Sequence, residues 1–194
     1  YDSHILAQAK TQYQNIVNTL DGELIAGNSQ DYFSKGKVVV AASSPEMMET
    51  FLEEGDLVVL GNRYEVQLCA IELQASCIVV CRGAAISRTI KKLAEERNIV
   101  VISTPHDTFT VARLINQSIP VRFLMKRDNL ITFNTNDYVD DIKDTMGKLR
   151  IRDFPVLDSQ GRCKGTISRR NLINAKKKQL ILVDHNERTQ AVDN

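Results

Sequence analysis

Between residues 38 and 103 the chain repeats one pattern four times: a short run of consecutive apolar residues, a turn, and then a stretch with helical spacing. The runs are Val38-Val39-Val40-Ala41, Leu57-Val58-Val59-Leu60, Ile78-Val79-Val80 and Ile99-Val100-Val101-Ile102. A strand that is apolar on every residue needs cover on both faces, and strands separated by helices pair in parallel. Residues 21–118 are therefore expected to form an α/β domain around a parallel sheet. The helices are expected at about 45–52, 64–73, 85–97 and 106–116. Ser44 before Pro45, and Thr104 before Pro105 with Asp107 three residues on, read as N-caps followed by proline in the first turn.

Ahead of this domain, Ile5, Leu6, Ala9, Tyr13, Ile16, Val17 and Leu20 recur at helical spacing. They predict one amphipathic helix over 4–20 that stops at Asp21-Gly22. No apolar stretch approaches the ~18 residues that cross a bilayer, and Tyr1-Asp2-Ser3-His4 lacks the basic start and apolar run of a signal peptide. The chain is thus expected to be cytoplasmic, away from any membrane. It begins without an initiator Met and is expected to be a fragment. The four cysteines, Cys69, Cys77, Cys81 and Cys163, show no CxxC or zinc-type spacing and read as reduced thiols.

Beyond residue 118 the pattern changes. Leu130–Phe133 reads as a strand, 137–149 as a helix with Val139, Ile142, Met146 and Leu149 on one side, Phe154–Asp158 and Cys163–Ile167 as a hairpin around Ser159-Gln160-Gly161, and Ser168–Lys178 as a helix. The order β-α-β-β-α adds an α+β domain over 119–179. Residues 180–194 follow, opening on the apolar run Leu180–Val183. The formal net charge is only +1, but residues 1–118 carry −4, residues 119–180 carry +7 and residues 181–194 carry −2. A basic block inside a near-neutral chain suits nucleic acid, an anionic surface or small phosphate compounds, or is simply a solvated face.

Within that block Gly165-Thr166-Ile167-Ser168-Arg169-Arg170-Asn171 leads a glycine-containing strand into a helix. Free N–H groups and the helix dipole attract an anion at such a tip. Ser168 can cap the helix and donate to a phosphate, Arg169 or Arg170 adds charge-assisted hydrogen bonds, and Asn171 is within reach of a sugar hydroxyl. The same residues also read as a plain Ser cap on a basic surface helix.

The β-α-β-β-α order, the strand Phe154-Pro155-Val156-Leu157-Asp158 and the Gly-x-x-Ser-x-x-Asn element together resemble a CBS domain. The resemblance implies an adenine-nucleotide cleft between paired CBS repeats. In it Thr132, Phe133, Phe154, Pro155 and Val156 would line the base, Asn171 would take the ribose where Asp is more usual, and Ser168 with Arg152 and Arg169 would hold phosphate. The 1–20 segment would then be the exit helix of a truncated first repeat. Gly61-Asn62-Arg63-Tyr64-Glu65-Val66-Gln67 and Thr104-Pro105-His106-Asp107-Thr108 sit where a DRTGG domain has its loops, so 21–118 resembles that family, read as a spacer and dimerisation domain. Ile181–Arg188 looks like the strand-end segment of a family II inorganic pyrophosphatase of the DHH superfamily, with Asp184 in a metal-ligand position.

Together these resemblances imply a CBS–DRTGG–CBS regulatory insert, a homodimer. It would bind AMP and ADP as inhibitors and ATP or diadenosine polyphosphates as activators of a manganese- or cobalt-dependent enzyme that also uses magnesium. The fragment itself would hold no metal and hydrolyse nothing. Two other readings stand beside this one. The first is an enzyme, or a domain associated with acyltransferases, that uses the Gly61 and Thr104 loops. The second is a nucleic-acid binder using the basic block, which lacks an aromatic-rich basic strand or a recognition-helix pattern. His106 reads as a surface or capping residue. Lys176-Lys177-Lys178 reads as a solvated helix end or as a contact for distal phosphates.

Overall fold

The four apolar runs do become adjacent parallel strands. The structure is a computed structural model that describes residues 2–41 and 44–175, together with the strand backbones 180–183 and 189–192. It divides into two compact units, 1–125 and 126–194.

In the first unit, α1 (Ile5–Gln8), β1 (Thr11–Gln12) and α2 (Tyr13–Thr19) precede β2 (Glu23–Ala26) and β3 (Tyr32–Phe33). Then β4 (Val38–Val40), α3 (Pro45–Phe51), β5 (Leu57–Leu60), α4 (Tyr64–Glu72), β6 (Cys77–Val80), α5 (Arg88–Glu96), β7 (Val100–Ser103) and α6 (Thr108–Leu114) alternate. A 3-10 turn (Ile115–Ser118) and α7 (Val121–Leu124) close the unit. The main sheet is five-stranded, in the order β2-β7-β6-β5-β4. Strands β4 to β7 are parallel, and β2 is an antiparallel edge paired with β7, Glu23 opposite Ser103. This edge strand is not predicted from the sequence, because Glu23-Leu24-Ile25-Ala26 lacks the four-residue apolar signature of a strand covered on both faces.

The strands wind in one direction from β4 to β7, so right-handed crossovers place α3, α4 and α5 on one face. Met48, Leu52, Val66, Ile71, Ile90 and Ala94 pack there against Val58, Leu60, Ile78, Val80 and Val101. On the other face Leu6, Ile16, Leu20 and Val111 meet Leu57, Val59, Val79 and Ile102. Alternate residues of one strand thus feed two cores, as a strand buried on both sides requires.

Two local expectations are corrected. The helix over 4–20 is interrupted: Lys10 has φ +49°, the Thr11 hydroxyl donates to the Leu6 carbonyl at 2.9 Å, and Thr11-Gln12 pairs with Tyr32-Phe33. The apolar spacing survives the break because both pieces face the same core. The helix near Thr104 is capped by Asp107, whose Oδ1 accepts the Thr110 N–H at 2.8 Å. That bond holds the Asp107 carboxyl below its usual range. Thr104 lies three residues ahead of that cap, where its buried hydroxyl accepts the His106 N–H at 3.2 Å and donates to the Leu20 carbonyl at 2.7 Å.

The second unit contains β8 (Phe133–Asn134), α8 (Val139–Lys148), β9 (Asp153–Leu157), β10 (Cys163–Ser168), α9 (Arg169–Ala175), β11 (Leu180–Val183) and β12 (Thr189–Val192). Strand β9 is central in the order β10-β9-β8, parallel to β8 and antiparallel to β10, which gives the expected β-α-β-β-α order. Phe133, Ile142, Met146, Phe154 and Leu172 form its core. β11 pairs antiparallel with β12.

Candidate functional site

The hairpin register builds a cleft at the start of α9. Ser168 ends β10 directly opposite Asp153 at the start of β9, so the α9 tip lies beside the segment that leads into β9. In that segment Ile151 packs against the core, and the arginines on either side of it are exposed. The result is an open cleft of about 670 Å³ lined by Arg150, Ile151, Arg152, Asp153, Ser168, Arg169 and Arg170. Ligand sites commonly span roughly 300–1,000 Å³. Four arginines and one carboxylate residue line it, and no ion pair among the described residues involves Arg150, Arg152 or Arg170. Unpaired guanidinium groups around a hydroxyl bind phosphate or carboxylate oxygens in preference to neutral groups.

The α9 tip is ordered from within. Asn171 Oδ1 accepts the Ser168 backbone N–H at 2.8 Å and the Ser168 hydroxyl at 3.0 Å. This is the backward half of a capping box, with the third helical residue reaching back to Ser168. In this contact the Ser168 hydroxyl is the donor, and Asn171 is thus the side chain that orders the tip. Its amide nitrogen, not its oxygen, is what it can still offer to a ligand.

Arg169 departs from the expected role. Its Nη2 donates to the carbonyls of Met146 and of Leu149, the latter at 2.6 Å, at the C-terminal end of α8. Although it lines the cleft, its guanidinium is turned toward these carbonyls. The charge left along the cleft is that of Arg152, one of the expected residues, with Arg150 and Arg170. The signal for Arg150 lay in the Arg150-Ile151-Arg152 alternation, where a core residue between two charges exposes both.

The residues expected to line a base do not border this cleft. Phe133 and Phe154 are core residues, 7% and 0% exposed, with ring centroids 5.1 Å apart. Within this unit the two rings are therefore core side chains, as the largest apolar groups beside packed helices usually are. Pro155 and Val156 are half-buried in the central strand, and Thr132 is exposed just before β8. Asp184 and Lys176-Lys177-Lys178 lie outside the described residues. Among the described residues no group of three or more His, Cys, Asp or Glu could hold a metal ion, and no helix is long and apolar enough to cross a membrane.

In the first unit a crevice is expected at the carboxyl ends of β6 and β7, because the chain leaves these neighbours toward opposite faces of the sheet. The loops themselves close it. The Arg82 N–H donates to the His106 carbonyl and the Gly83 N–H to the Thr104 carbonyl, each at 2.8 Å. The side chains of His106 and Asp21 meet at 2.9 Å, with Nε2 against Oδ2. His106 thus ties its loop to Arg82 through its carbonyl and to Asp21 through its ring.

Comparison with known proteins agrees with both units. A family described as "DRTGG domain" matches residues 15–118, and one described as "CBS domain" matches 121–178. The chain is 45% identical over 192 residues to a cobalt-dependent inorganic pyrophosphatase of Clostridium perfringens, covering 99% of this chain and 35% of that protein. It is 31% identical over 179 residues to a probable manganese-dependent inorganic pyrophosphatase of Thermotoga maritima, covering 92% of this chain and 32% of that protein. The chain therefore spans about a third of the length of these relatives. Among solved structures it resembles the CBS and DRTGG domains of the regulatory region of Clostridium perfringens pyrophosphatase, complexed with its activator diadenosine tetraphosphate. That match has a TM-score of 0.81 and 43% identity, and covers 87% of this chain and 74% of the other.

Proposed function

The chain belongs to the DRTGG-domain family and carries a CBS domain behind its DRTGG domain, and from that premise we propose that it is the adenine-nucleotide-sensing regulatory region of an inorganic pyrophosphatase. The observation that carries the reading is the cleft that Arg150, Arg152 and Arg170 line together with Ser168, with no ion pair to any of the three among the described residues. A relative's regulatory region, similar over most of this chain, is described with diadenosine tetraphosphate as its activator.

In this reading the phosphates of AMP, ADP, ATP or a diadenosine polyphosphate lie among the three arginines. The Ser168 hydroxyl turns from Asn171 toward a phosphate oxygen, and Asn171 meets the ribose. Thr132, Pro155 and Val156 remain as the base-side surface, completed by a second CBS repeat in a homodimer. AMP and ADP inhibit, and ATP or diadenosine polyphosphates activate, because each favours a different arrangement of the paired domains. Only such a difference in affinity between states can alter a distant catalytic site. The hydrolysis belongs to a cytoplasmic full-length protein that uses manganese or cobalt, with magnesium, and Asp184 would ligate its metal.

The test is isothermal calorimetry of the chain with AMP, ADP, ATP and diadenosine tetraphosphate, repeated with Arg152→Ala and Ser168→Ala. Binding of the wild-type chain that weakens at least about tenfold in Arg152→Ala is expected, since charge-assisted hydrogen bonds contribute on the order of 1.5–3 kcal/mol. Absence of binding, or equal affinity in both variants, would remove the assignment.

A further inference from the structure

Arg169 borders two cavities of the second unit. One is the basic cleft with Arg150, Arg152, Ser168 and Arg170. The other is a groove of about 300 Å³ on the α8–α9 pair, lined by Lys143, Met146, Gly147, Arg169, Leu172 and Ile173. The guanidinium between them is held by the Met146 and Leu149 carbonyls at the end of α8. A cation there satisfies carbonyls that have no partner within the helix and complements the negative end of its dipole. Along the cleft lining Arg169 also has three neighbouring arginines and only Asp153 as counter-charge. Like-charge repulsion pushes it in the same direction, away from the cleft and onto the carbonyls.

An anion in the cleft reverses that balance. It neutralises Arg150, Arg152 and Arg170 and offers Arg169 a charged acceptor in place of two neutral ones. Charged acceptors form the stronger hydrogen bonds. We infer that Arg169 is a positioning residue that exchanges the Met146 and Leu149 carbonyls for an anion in the cleft, so that occupancy of the cleft frees the last turn of α8 and reshapes the groove beside it.

The side chain has two alternative sets of acceptors, and a ligand that contacts only one set must shift its population. The groove carries the consequence, because Met146 belongs both to the core and to the groove wall. Gly147, beside it, is exposed, and a Cβ placed there would meet no neighbouring atom.

This inference rests on the proposed anion-binding cleft, and its test separates the two. Amide hydrogen exchange of the segment 143–152 is followed in the chain alone and with saturating ADP, with binding measured in parallel by calorimetry. In the wild type ADP is expected to speed exchange in this segment by at least about threefold, because the helix end loses its cap. In Arg169→Ala exchange should already be fast without ligand, and ADP should not raise it further. Arg169→Lys should follow the alanine variant, since an ammonium cannot hold two carbonyls in the geometry of a planar fork. If ADP binds the wild type while exchange over 143–152 stays unchanged or slows, this inference falls and the cleft assignment stands. If Arg169→Ala shows the same ligand-induced change as the wild type, the coupling does not run through Arg169. Failure of ADP to bind at all removes the cleft assignment and this inference together.

Discussion

Asn171 is the residue at which a single atom changes the α9 tip without changing its shape. Replacing it with the isosteric carboxylate, Asn171→Asp, keeps an acceptor where Oδ1 now takes the Ser168 N–H at 2.8 Å and the Ser168 hydroxyl at 3.0 Å. Each bond becomes charge-assisted, which raises its net contribution from roughly 1 to roughly 2 kcal/mol in a protected site. The helix N-terminus adds roughly 0.3–1 kcal/mol for a negative charge in its first turn. Both bonds are exposed to solvent, so screening takes back much of this, and a net gain of about 1 kcal/mol in the second unit is expected. For a domain of this size that is a rise in Tm of about 4–8 °C at pH 7.

The new carboxyl is stabilised in its charged form, so its folded pKa lies below its unfolded value near 4. The gain is therefore complete above about pH 5 and is lost as the pH falls through the depressed folded pKa. Scanning calorimetry at pH 7 and at pH 2–3 measures it. In a Ser168→Ala background the gain should shrink by about half, because only the backbone N–H remains to donate. A Tm that is unchanged or lower at pH 7, or a gain that persists undiminished at pH 2, refutes the capping argument.

Two further outcomes follow from groups outside the cleft. The Asp56 carboxylate is almost fully buried and accepts the Lys37 N–H, the Glu53 N–H and the Lys37 ammonium, each at 2.9 Å. Desolvation lowers the Lys37 pKa, but the hydrogen bond and charge of Asp56, with help from Glu53, raise it overall. Asp56→Ala leaves three part-buried donors without this partner and should cost the first unit about 2–4 kcal/mol, visible as a Tm lower by more than about 6 °C; a drop under about 3 °C would contradict this. Cys163 is exposed, while Cys69, Cys77 and Cys81 are buried, and burial pushes the Cys77 thiol up and the Cys81 thiol up to about 11. Brief treatment with iodoacetamide at pH 7.5 should modify Cys163 first and the other three after unfolding, as read by peptide mass spectrometry. Rapid native labelling of Cys81 would mean that the sheet opens far more readily than its packing implies.

The linear pattern of the chain was enough for the parallel sheet, because four apolar runs spaced by helices leave few ways to bury both faces of each strand. It was enough for the β-α-β-β-α order and for bringing Ser168 and Arg152 to one cleft, since these depend on short-range spacing and on residue chemistry. It also placed one amphipathic stretch correctly on the core while missing the kink at Lys10, because periodicity records which side is buried and not whether the backbone is continuous. The antiparallel edge strand Glu23–Ala26 escaped for a related reason: an edge strand is defined by its single neighbour, 80 residues away in the register Glu23 to Ser103.

What the tertiary structure alone decided is where each charge points. Arg169 and Arg170 are adjacent and chemically identical, yet only Arg169 finds the end of α8 within reach. Phe133 and Phe154 are consistent with either a ligand platform or a core until the helices take one side of their sheet. Spacing along the chain sets which residue types can meet, but the choice between competing acceptors is made by distances that exist only after packing.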